Sequence, residues 1–475
     1  MRKPVLTDRR KDEGMKEFDQ NELKTLEYGL PEEVLKYKMC GDFEGARKSI
    51  SRWMDRPITE GLKKRLSLEK EMLDLLELEF PYTAEETVKL FFEKVPDFTR
   101  EDLNRLDEEG LAEWIFLDGQ KHYIHNIMRN VLGNDKEIRK RAGITEEISE
   151  EEQNLSAAIA ELKEKRGLKK RFRLRTSVAL REECFQKGMY LKAHLPLPAS
   201  LYQVSDVTVL NHSDCKVTIA PEDSLFRAIC FEDVLDKNIP FFVEYEYTVH
   251  SVYHDFSEAD RKQAEEGWKE DPDVGLYLEE QSPQIRFTLY LRDLAEAIVG
   301  GEQDPLKAAW RIYDYITKHV KYSYMKEYFL IPQIPQYCAE NLRGDCGVQS
   351  LLFITLCRIC GIPAKWQSGL YANPGYVGPH DWAMFYVKPY GWLFADPSFG
   401  GEAFSQGNEE RRRFYFGNLD PFRMVSNNAF AMPFDCPKKF RPIDPYDNQS
   451  GEIESDQRGF SSREIESKKC MVISC

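Results

Sequence analysis

The chain has 475 residues, of which 42% are hydrophobic and 12% aromatic. This is enough for several folded domains and excludes a wholly disordered protein. Its 81 acidic and 66 basic residues leave a formal charge of −15, which disfavours binding to nucleic acid or to an anionic membrane surface because both need clustered Lys and Arg. We therefore predict neither partner and leave the oligomeric state open.

The eleven cysteines are an odd number, so they cannot all pair within one chain. The first residues lack the apolar segment of a signal peptide, and no apolar run reaches the roughly 18–20 residues of a membrane-spanning helix. These features predict a cytoplasmic protein with mostly free thiols. The pairs Cys357/Cys360 and His122/His125 have metal-ligand spacing, but no further ligand accompanies either pair in the sequence and there is no calcium loop, so neither a metal nor a cofactor is predicted.

Residues 1–170 are predicted to form a helical N-terminal region with a charged linker. Apolar residues recur every three or four positions over 42–54, 58–78 and 84–94, which is typical of amphipathic helices. From residue 171 the period changes to two, and short runs of β-branched and aromatic residues alternate with turn residues. Residues 171–256 are therefore predicted to form an antiparallel β-sandwich-like domain.

Helices return after residue 283. One of them is predicted to begin at Asp304-Pro305, an N-cap followed by a proline in the first helical position. The next helix is apolar on nearly all sides over residues 346–360, which indicates that it lies in the core. Asp345 occupies its N-cap position, and Gly361 and Pro363 mark its end.

Cys346 therefore lies in the first turn of a buried helix. The positive end of a helix and its free N–H groups favour a thiolate, so we expect a thiol pKa below about 8.5. Those N–H groups could also bind an oxyanion.

A base and a carboxylate follow Cys346 on one predicted hairpin. His380 begins the strand HDWAMFYV, and the chain turns and returns as WLFAD, which ends at Asp396. This places Asp396 beside His380, where it can fix the imidazole tautomer. Asp381 neighbours His380 on a strand and is expected to point to the opposite face. Cys346, His380 and Asp396 are thus predicted to be nucleophile, base and orienting carboxylate.

These residues resemble the core of the transglutaminase-like superfamily, which has a papain-like cysteine architecture. The resemblance rests on the motifs Gly-Asp-Cys-Gly, Arg-Ile-Cys-Gly-Ile-Pro-Ala, His-Asp-Trp and Trp-Leu-Phe-Ala-Asp-Pro, in that order between residues 344 and 397. It implies an α+β fold in which a catalytic domain over 283–445, including a C-terminal extension, follows the β-sandwich-like domain and the helical N-terminal region. It also implies catalytic roles for Cys346, His380 and Asp396.

Three further residues are candidates for the oxyanion or substrate site. The superfamily often supplies an oxyanion donor upstream of the nucleophile, and Gln336 stands ten residues before Cys346. A loop amide that bonds to the backbone is the structural alternative for Gln336. Trp382 shares the strand face of His380, and Trp366 lies on the preceding strand, so both could line the cleft.

The predicted function is cysteine-dependent acyl transfer on an amide or peptide bond through a thioester on Cys346, with hydrolysis as the favoured outcome. The expected substrate is a peptide or protein. The alternatives are protein-glutamine transglutamination and a catalytically inactive binding or scaffold protein. The other ten cysteines are expected to be packed or exposed. Residues 446–475 form a polar tail that is either mobile or pinned as a terminal strand.

Overall fold

The computed structural model of the chain describes residues 19–145, 148–267 and 270–474. Its N-terminal region contains helices at the three predicted segments and several others: α1 (Glu32–Met39), α2 (Phe43–Met54), α3 (Glu60–Glu79), α4 (Ala84–Phe92), α5 (Arg100–Glu108), α6 (Ile127–Asn134), α7 (Lys136–Arg141) and α8 (Glu150–Lys165). Residues 1–18 of the predicted helical region lie outside the described residues.

This region also holds a small antiparallel sheet that the helical periodicity does not predict. Its strands β1 (Tyr82–Thr83), β2 (Trp114–Leu117) and β3 (Gln120–Tyr123) lie in the order β1-β3-β2. The β2–β3 hairpin turns at Asp118-Gly119, and both residues have the positive φ that a type I′ turn requires. This Asp-Gly pair is the sequence signal for the hairpin.

Two antiparallel sheets follow, as the period of two predicts. Their strands are β4 (Gly167–Leu180), β5 (Met189–Pro196), β6 (Val204–His212), β7 (Lys216–Ile219), β8 (Ala228–Leu235) and β9 (Phe241–Val252). The strand orders are β5-β8-β7 and β4-β9-β6. β4 buries every second residue from Phe172 to Leu180, the alternation of a strand with one face in the core. Phe231 of β8 stacks on Phe241 of β9 with ring centres 5.6 Å apart, so the sheets face each other.

Helices and a further sheet make up the next part of the chain: α9 (Glu258–Gly267), α10 (Leu289–Val299), α11 (Pro305–His319), β10 (Lys321–Tyr322), α12 (Ile334–Asn341), β11 (Arg343–Gly344), α13 (Cys346–Ile359), β12 (Ala364–Asn373), β13 (Tyr376–Val387), β14 (Gly391–Ala395), α14 (Pro397–Ser405), α15 (Glu409–Phe414), β15 (Phe416–Gly417) and β16 (Arg423–Asn427). The main sheet is antiparallel, in the order β15-β14-β13-β12-β16. Short 3₁₀ segments lie at Gln20–Glu27, Glu182–Cys184, Val274–Leu278 and Tyr328–Leu330.

Helix α13 is the buried helix that the apolar run predicts, and it packs on β12 and β13. Phe353 of the helix contacts Phe385 of β13 with ring centres 5.6 Å apart. The Asp345 side chain accepts the Val348 N–H at 3.1 Å, and Gly361 has a φ of +74° just beyond the helix. Both ends of the helix therefore lie where the cap residues predict them.

Residues 446–475 are not a separate mobile tail where the structure describes them. Their strand β17 (Glu452–Ser455) pairs with β5, and β18 (Ile465–Ser474) pairs with β4. The first sheet is thus β17-β5-β8-β7 and the second is β18-β4-β9-β6. Of the two alternatives for this segment, the structure has the pinned strand. Within the described ranges, no helix combines the length and the apolar character needed to cross a bilayer.

Candidate active site

Cys346 is the first residue of α13, and the start of this helix is tightly packed. A side chain at the next residue, Gly347, would place its Cβ 2.2 Å from the Tyr328 hydroxyl oxygen and 2.9 Å from Trp366 Cη2. Tyr328 in turn donates a hydrogen bond to the capping carboxylate of Asp345. The glycine after the cysteine therefore allows the helix end to approach the sheet closely.

The Cys346 thiol is hydrogen-bonded to Asp381 on β13. Its Sγ donates to Asp381 Oδ2 at 3.2 Å, and only 8% of the cysteine is exposed. Burial, followed by the carboxyl groups of Asp381 and Asp345, raises the thiol pKa well above its usual value. The expectation of a lowered thiol pKa is therefore wrong for this arrangement, because burial and nearby acids outweigh the helix dipole.

The acids around the thiol have pKa values above their usual range, and Asp381 stays largely protonated at neutral pH. Burial raises the pKa of Asp381 to about 8 and that of Asp345 to about 6. Asp447, also buried and hydrogen-bonded to Asp381, has a pKa well above its usual value. Gln449 donates its amide both to Asp381 Oδ1 and, at 2.9 Å, to the backbone oxygen of His380. The segment before β17 thus contacts the same carboxyl group as the thiol.

His380 and Asp396 are in direct contact. His380 Nε2 and Asp396 Oδ2 are 2.7 Å apart, and Arg423 Nη1 lies 2.9 Å from the same oxygen. Burial opposes ionisation of Asp396, but the nearby cations prevail, and its pKa falls to about 2. Burial also lowers the pKa of His380, against the opposing effect of Asp396. A neutral imidazole therefore lies beside an ionised carboxylate, which fixes the proton on Nε2 and leaves Nδ1 as the basic nitrogen.

The contact expected between Cys346 and His380 is not made in this arrangement. In the residues the structure covers, no hydrogen bond joins Cys346 to His380. His380 pairs in register with Gly369, and Asp381 with Ser368, so the two side chains leave β13 on alternate faces. Asp381 was expected on the face opposite His380, and it is the side chain that meets the thiol.

The three secondary candidates do not reach the thiol by a hydrogen bond. The Gln336 amide donates to Glu340 on the same helix at 2.7 Å. Trp382 is fully buried, stacks near His380 at 5.9 Å and donates its indole N–H to Gln367. Trp366 is 1% exposed, and its indole nitrogen has no partner in the part of the chain described. Both tryptophans are buried in this arrangement, and their place in a substrate cleft stays a prediction.

Sequence reasoning missed the contacts made by residues from distant segments. Arg423 is fully buried between Asp396 and Asp420. The signal for it was present locally, because Asp420 precedes Arg423 by three residues. Asp447 and Gln449 had no such signal, since they meet Asp381 only through the tertiary fold.

We expect Asp381→Asn to lower the thiol pKa and to raise the alkylation rate at Cys346 about tenfold at pH 8, the change that a one-unit fall in pKa produces. The gain should widen above pH 8, where Asp381 of the natural chain ionises. Iodoacetamide labelling, followed by mass spectrometry of the Cys346 peptide, measures it. Burial raises the pKa of Asp381 in the folded state, so the free energy of unfolding of the natural chain should fall as the pH rises from about 4 toward 8. The Asp381→Asn variant should lose this pH dependence of stability.

Asp236→Asn, at an exposed carboxylate, is the matched control. It should alter neither the alkylation rate at Cys346 nor the pH dependence of stability. An unchanged alkylation profile in the Asp381 variant would show that this carboxyl does not control the thiol.

Comparison with known proteins places one segment of the chain in a family. Residues 292–397 match the model of the transglutaminase-like superfamily. No curated protein matches the chain. Among solved structures, a protein of Cytophaga hutchinsonii proposed to be a cysteine protease is 14% identical with a TM-score of 0.41, covering 65% of this chain and 93% of that one. The periplasmic domain of TgpA from Pseudomonas aeruginosa is 13% identical with a TM-score of 0.27, covering 54% and 95%. Residues 292–397, which contain Cys346, His380 and Asp396, are therefore a domain of the transglutaminase-like superfamily within an α+β chain.

Proposed function

We propose that this protein is a cysteine-dependent acyl-transfer enzyme that hydrolyses an amide or peptide bond through a thioester on Cys346. The observation that carries the proposal is the 2.7 Å contact between His380 and Asp396, which leaves Nδ1 of a neutral imidazole free to act as a base. The cysteine at the start of a buried helix supports it, since that position offers backbone N–H groups to an oxyanion.

The reaction begins when His380 Nδ1 takes the proton of Cys346. The sulfur attacks the substrate carbonyl, and a tetrahedral oxyanion forms beside the first N–H groups of α13. The imidazolium, stabilised by Asp396, gives its proton to the leaving nitrogen, and the C–N bond breaks to leave a thioester. His380 then takes a proton from water, hydroxide attacks the thioester, and the acid product departs as the thiol regains its proton.

In the resting arrangement the thiol is bonded to Asp381, so catalysis requires Sγ to exchange that partner for His380. Asp381 and His380 leave β13 on alternate faces, so the movement we propose shifts the start of α13 against β13 and adjusts the segment that carries Gln449, in addition to rotating the Cys346 side chain. Since a buried neutral thiol is a poor nucleophile, this resting state keeps the enzyme from reacting without substrate.

The same chemistry allows a second outcome. If a primary amine replaces water as acceptor, the enzyme is a protein-glutamine transglutaminase. Hydrolysis of a peptide or protein substrate is the outcome we favour, and we place it in the cytoplasm because the chain keeps many free thiols.

A catalytically inactive binding protein is the second candidate function. The specific observation that favours it is the Cys346–Asp381 hydrogen bond, together with the raised pKa of the thiol. In that case the His380–Asp396 contact has a structural role.

Trapping the thioester tests the proposal. The full chain is incubated with a library of Gln-containing peptides, with and without a primary amine, and intact-protein mass spectrometry follows acyl adducts. We expect an adduct on Cys346 and peptide products of hydrolysis. Products that carry the amine would identify a transferase instead.

Cys346→Ala should form no adduct and no product, whereas Cys360→Ala, at a half-buried thiol just after the same helix, should retain both. If the Cys346 variant turned over the peptides as the natural chain does, the catalytic assignment would be wrong. If neither chain formed an adduct, the binding protein would be the better description.

A further inference from the structure

A second cluster of chemically reactive side chains lies in the β-sheets, separate from the candidate active site. It consists of His194 on β5, Cys230 on β8 and Cys436 in the segment between β16 and β17. His194 and Cys230 face each other directly in the antiparallel register. One ligand atom from each residue lies within 4.8 Å of the other two.

The hydrogen bond of His194 determines which ring nitrogen is free. His194 Nε2 lies 2.8 Å from the backbone oxygen of Cys436. A carbonyl oxygen can only accept, so Nε2 carries the proton and donates. In the neutral ring this leaves Nδ1 without a proton. Nδ1 therefore bears a lone pair.

That lone pair is buried without a partner. His194 is fully buried, and its Nδ1 has no hydrogen bond to any described residue. A buried polar atom without a partner is costly and calls for an explanation, such as an ion. An imidazole that donates one N–H to a backbone carbonyl and keeps the other nitrogen free is the arrangement in which histidine binds metals.

We infer that His194, Cys230 and Cys436 form a Zn²⁺ site. Zinc binds imidazole and thiolate ligands in tetrahedral geometry, and a Zn–S bond of about 2.3 Å separates two sulfurs by about 3.8 Å. Ligand atoms within 4.8 Å need to approach by about an ångström or less to reach that geometry. Cys436 is only half-buried, which leaves room for water in the fourth position.

The charges of the site suit a dication. Binding releases the protons of the two thiols, so the two thiolates balance Zn²⁺ and leave the inner ligand set neutral. The neighbouring cations have other partners: Lys438 Nζ lies 2.8 Å from a Glu452 carboxylate oxygen, and Lys192 donates to the backbone oxygen of Pro437. Burial of the neutral complex therefore adds no uncompensated charge to the site.

The zinc would join the sheet of β5 and β8 to the segment that leads to the active site. Cys436 stands a short distance before Asp447 and Gln449, which contact Asp381. A metal at Cys436 would fix the start of this segment. We assign the ion a structural role, because it lies on residues that the acyl-transfer proposal does not use.

Cobalt titration of the reduced, chelator-treated full chain tests the site. We expect one Co²⁺ per chain, with sulfur-to-cobalt charge-transfer absorption that Zn²⁺ displaces. Cys436→Ser, at a half-buried position in a loop, should fold and lose much of this absorption, and Cys230→Ser should do the same. Cys215→Ser and Cys346→Ala should keep it, since neither residue belongs to the cluster.

Thermal unfolding gives a readout independent of activity. Saturating Zn²⁺ should raise the Tm of the natural chain and of Cys346→Ala, and it should raise the Tm of Cys436→Ser far less. Co²⁺ binding without charge-transfer absorption, or absorption unchanged in the Cys230 and Cys436 variants, would overturn the assignment. Absorption lost only in Cys346→Ala would place the metal at the active-site thiol and would overturn it as well.

Discussion

Replacing Arg423 with methionine should lower the free energy of unfolding by about 3–5 kcal/mol, the cost of leaving buried charges without their partner. The guanidinium is fully buried and lies 2.9 Å from Asp396 Oδ2 and 2.6 Å from Asp420 Oδ2. Methionine fills similar space but supplies no charge, so two buried carboxylates remain uncompensated. Urea unfolding followed by circular dichroism measures the loss.

Arg413→Met is the matched control. Its side chain is 67% exposed and pairs with Glu409 at 2.9 Å, so its removal should cost less than about 1 kcal/mol. An Arg423 variant as stable as this control would mean that the buried network does not hold the fold together.

Exchange of Asp396 for asparagine should reduce kcat/KM on the order of 10⁴-fold if the proposed acyl transfer is correct. Asp396 accepts the Nε2 proton of His380, and this contact makes Nδ1 the base. An asparagine can present an N–H to Nε2 instead, which moves the ring proton to Nδ1 and removes the base. The rate of peptide hydrolysis is the measurement.

Asp420→Asn separates this effect from lost stability. Like Asp396→Asn, it removes one of the two carboxylate partners of Arg423, but the contact between His380 and Asp396 remains. We expect this variant to lose stability and to keep most of its activity per folded molecule. Equal activity losses in the two variants would show that Asp396 acts through the fold rather than through His380.

Local patterns were sufficient to predict the elements that carry the candidate site. The Asp345 cap and Gly361 bound α13 correctly, because caps depend on residues close in sequence. The hairpin prediction placed His380 beside Asp396, since strand pairing across a short turn is also local. The same reasoning correctly put Asp381 on the other face of its strand.

Contacts between distant segments were not predictable in this way. The partner of the Cys346 thiol depends on how α13 packs on β13, and the thiol pKa follows from that burial rather than from the helix end alone. The zinc ligands are likewise far apart in the chain, so a search for ligand spacing passes over them. Only the fold brings His194, Cys230 and Cys436 together.

The pairing of β18 with β4 has a consequence for synthesis of the protein. A ribosome makes β18 only after all the strands from β5 to β17, so the edge of β4 that β18 covers stays unpaired while the intervening segments emerge. An open strand edge is a site of aggregation. Gln449 and Asp447 also arrive late, so a nascent chain exposes Cys346 and Asp381 before their covering segment exists. Completion of the sandwich and closure over the thiol should therefore both wait for the segment that contains β17 and β18.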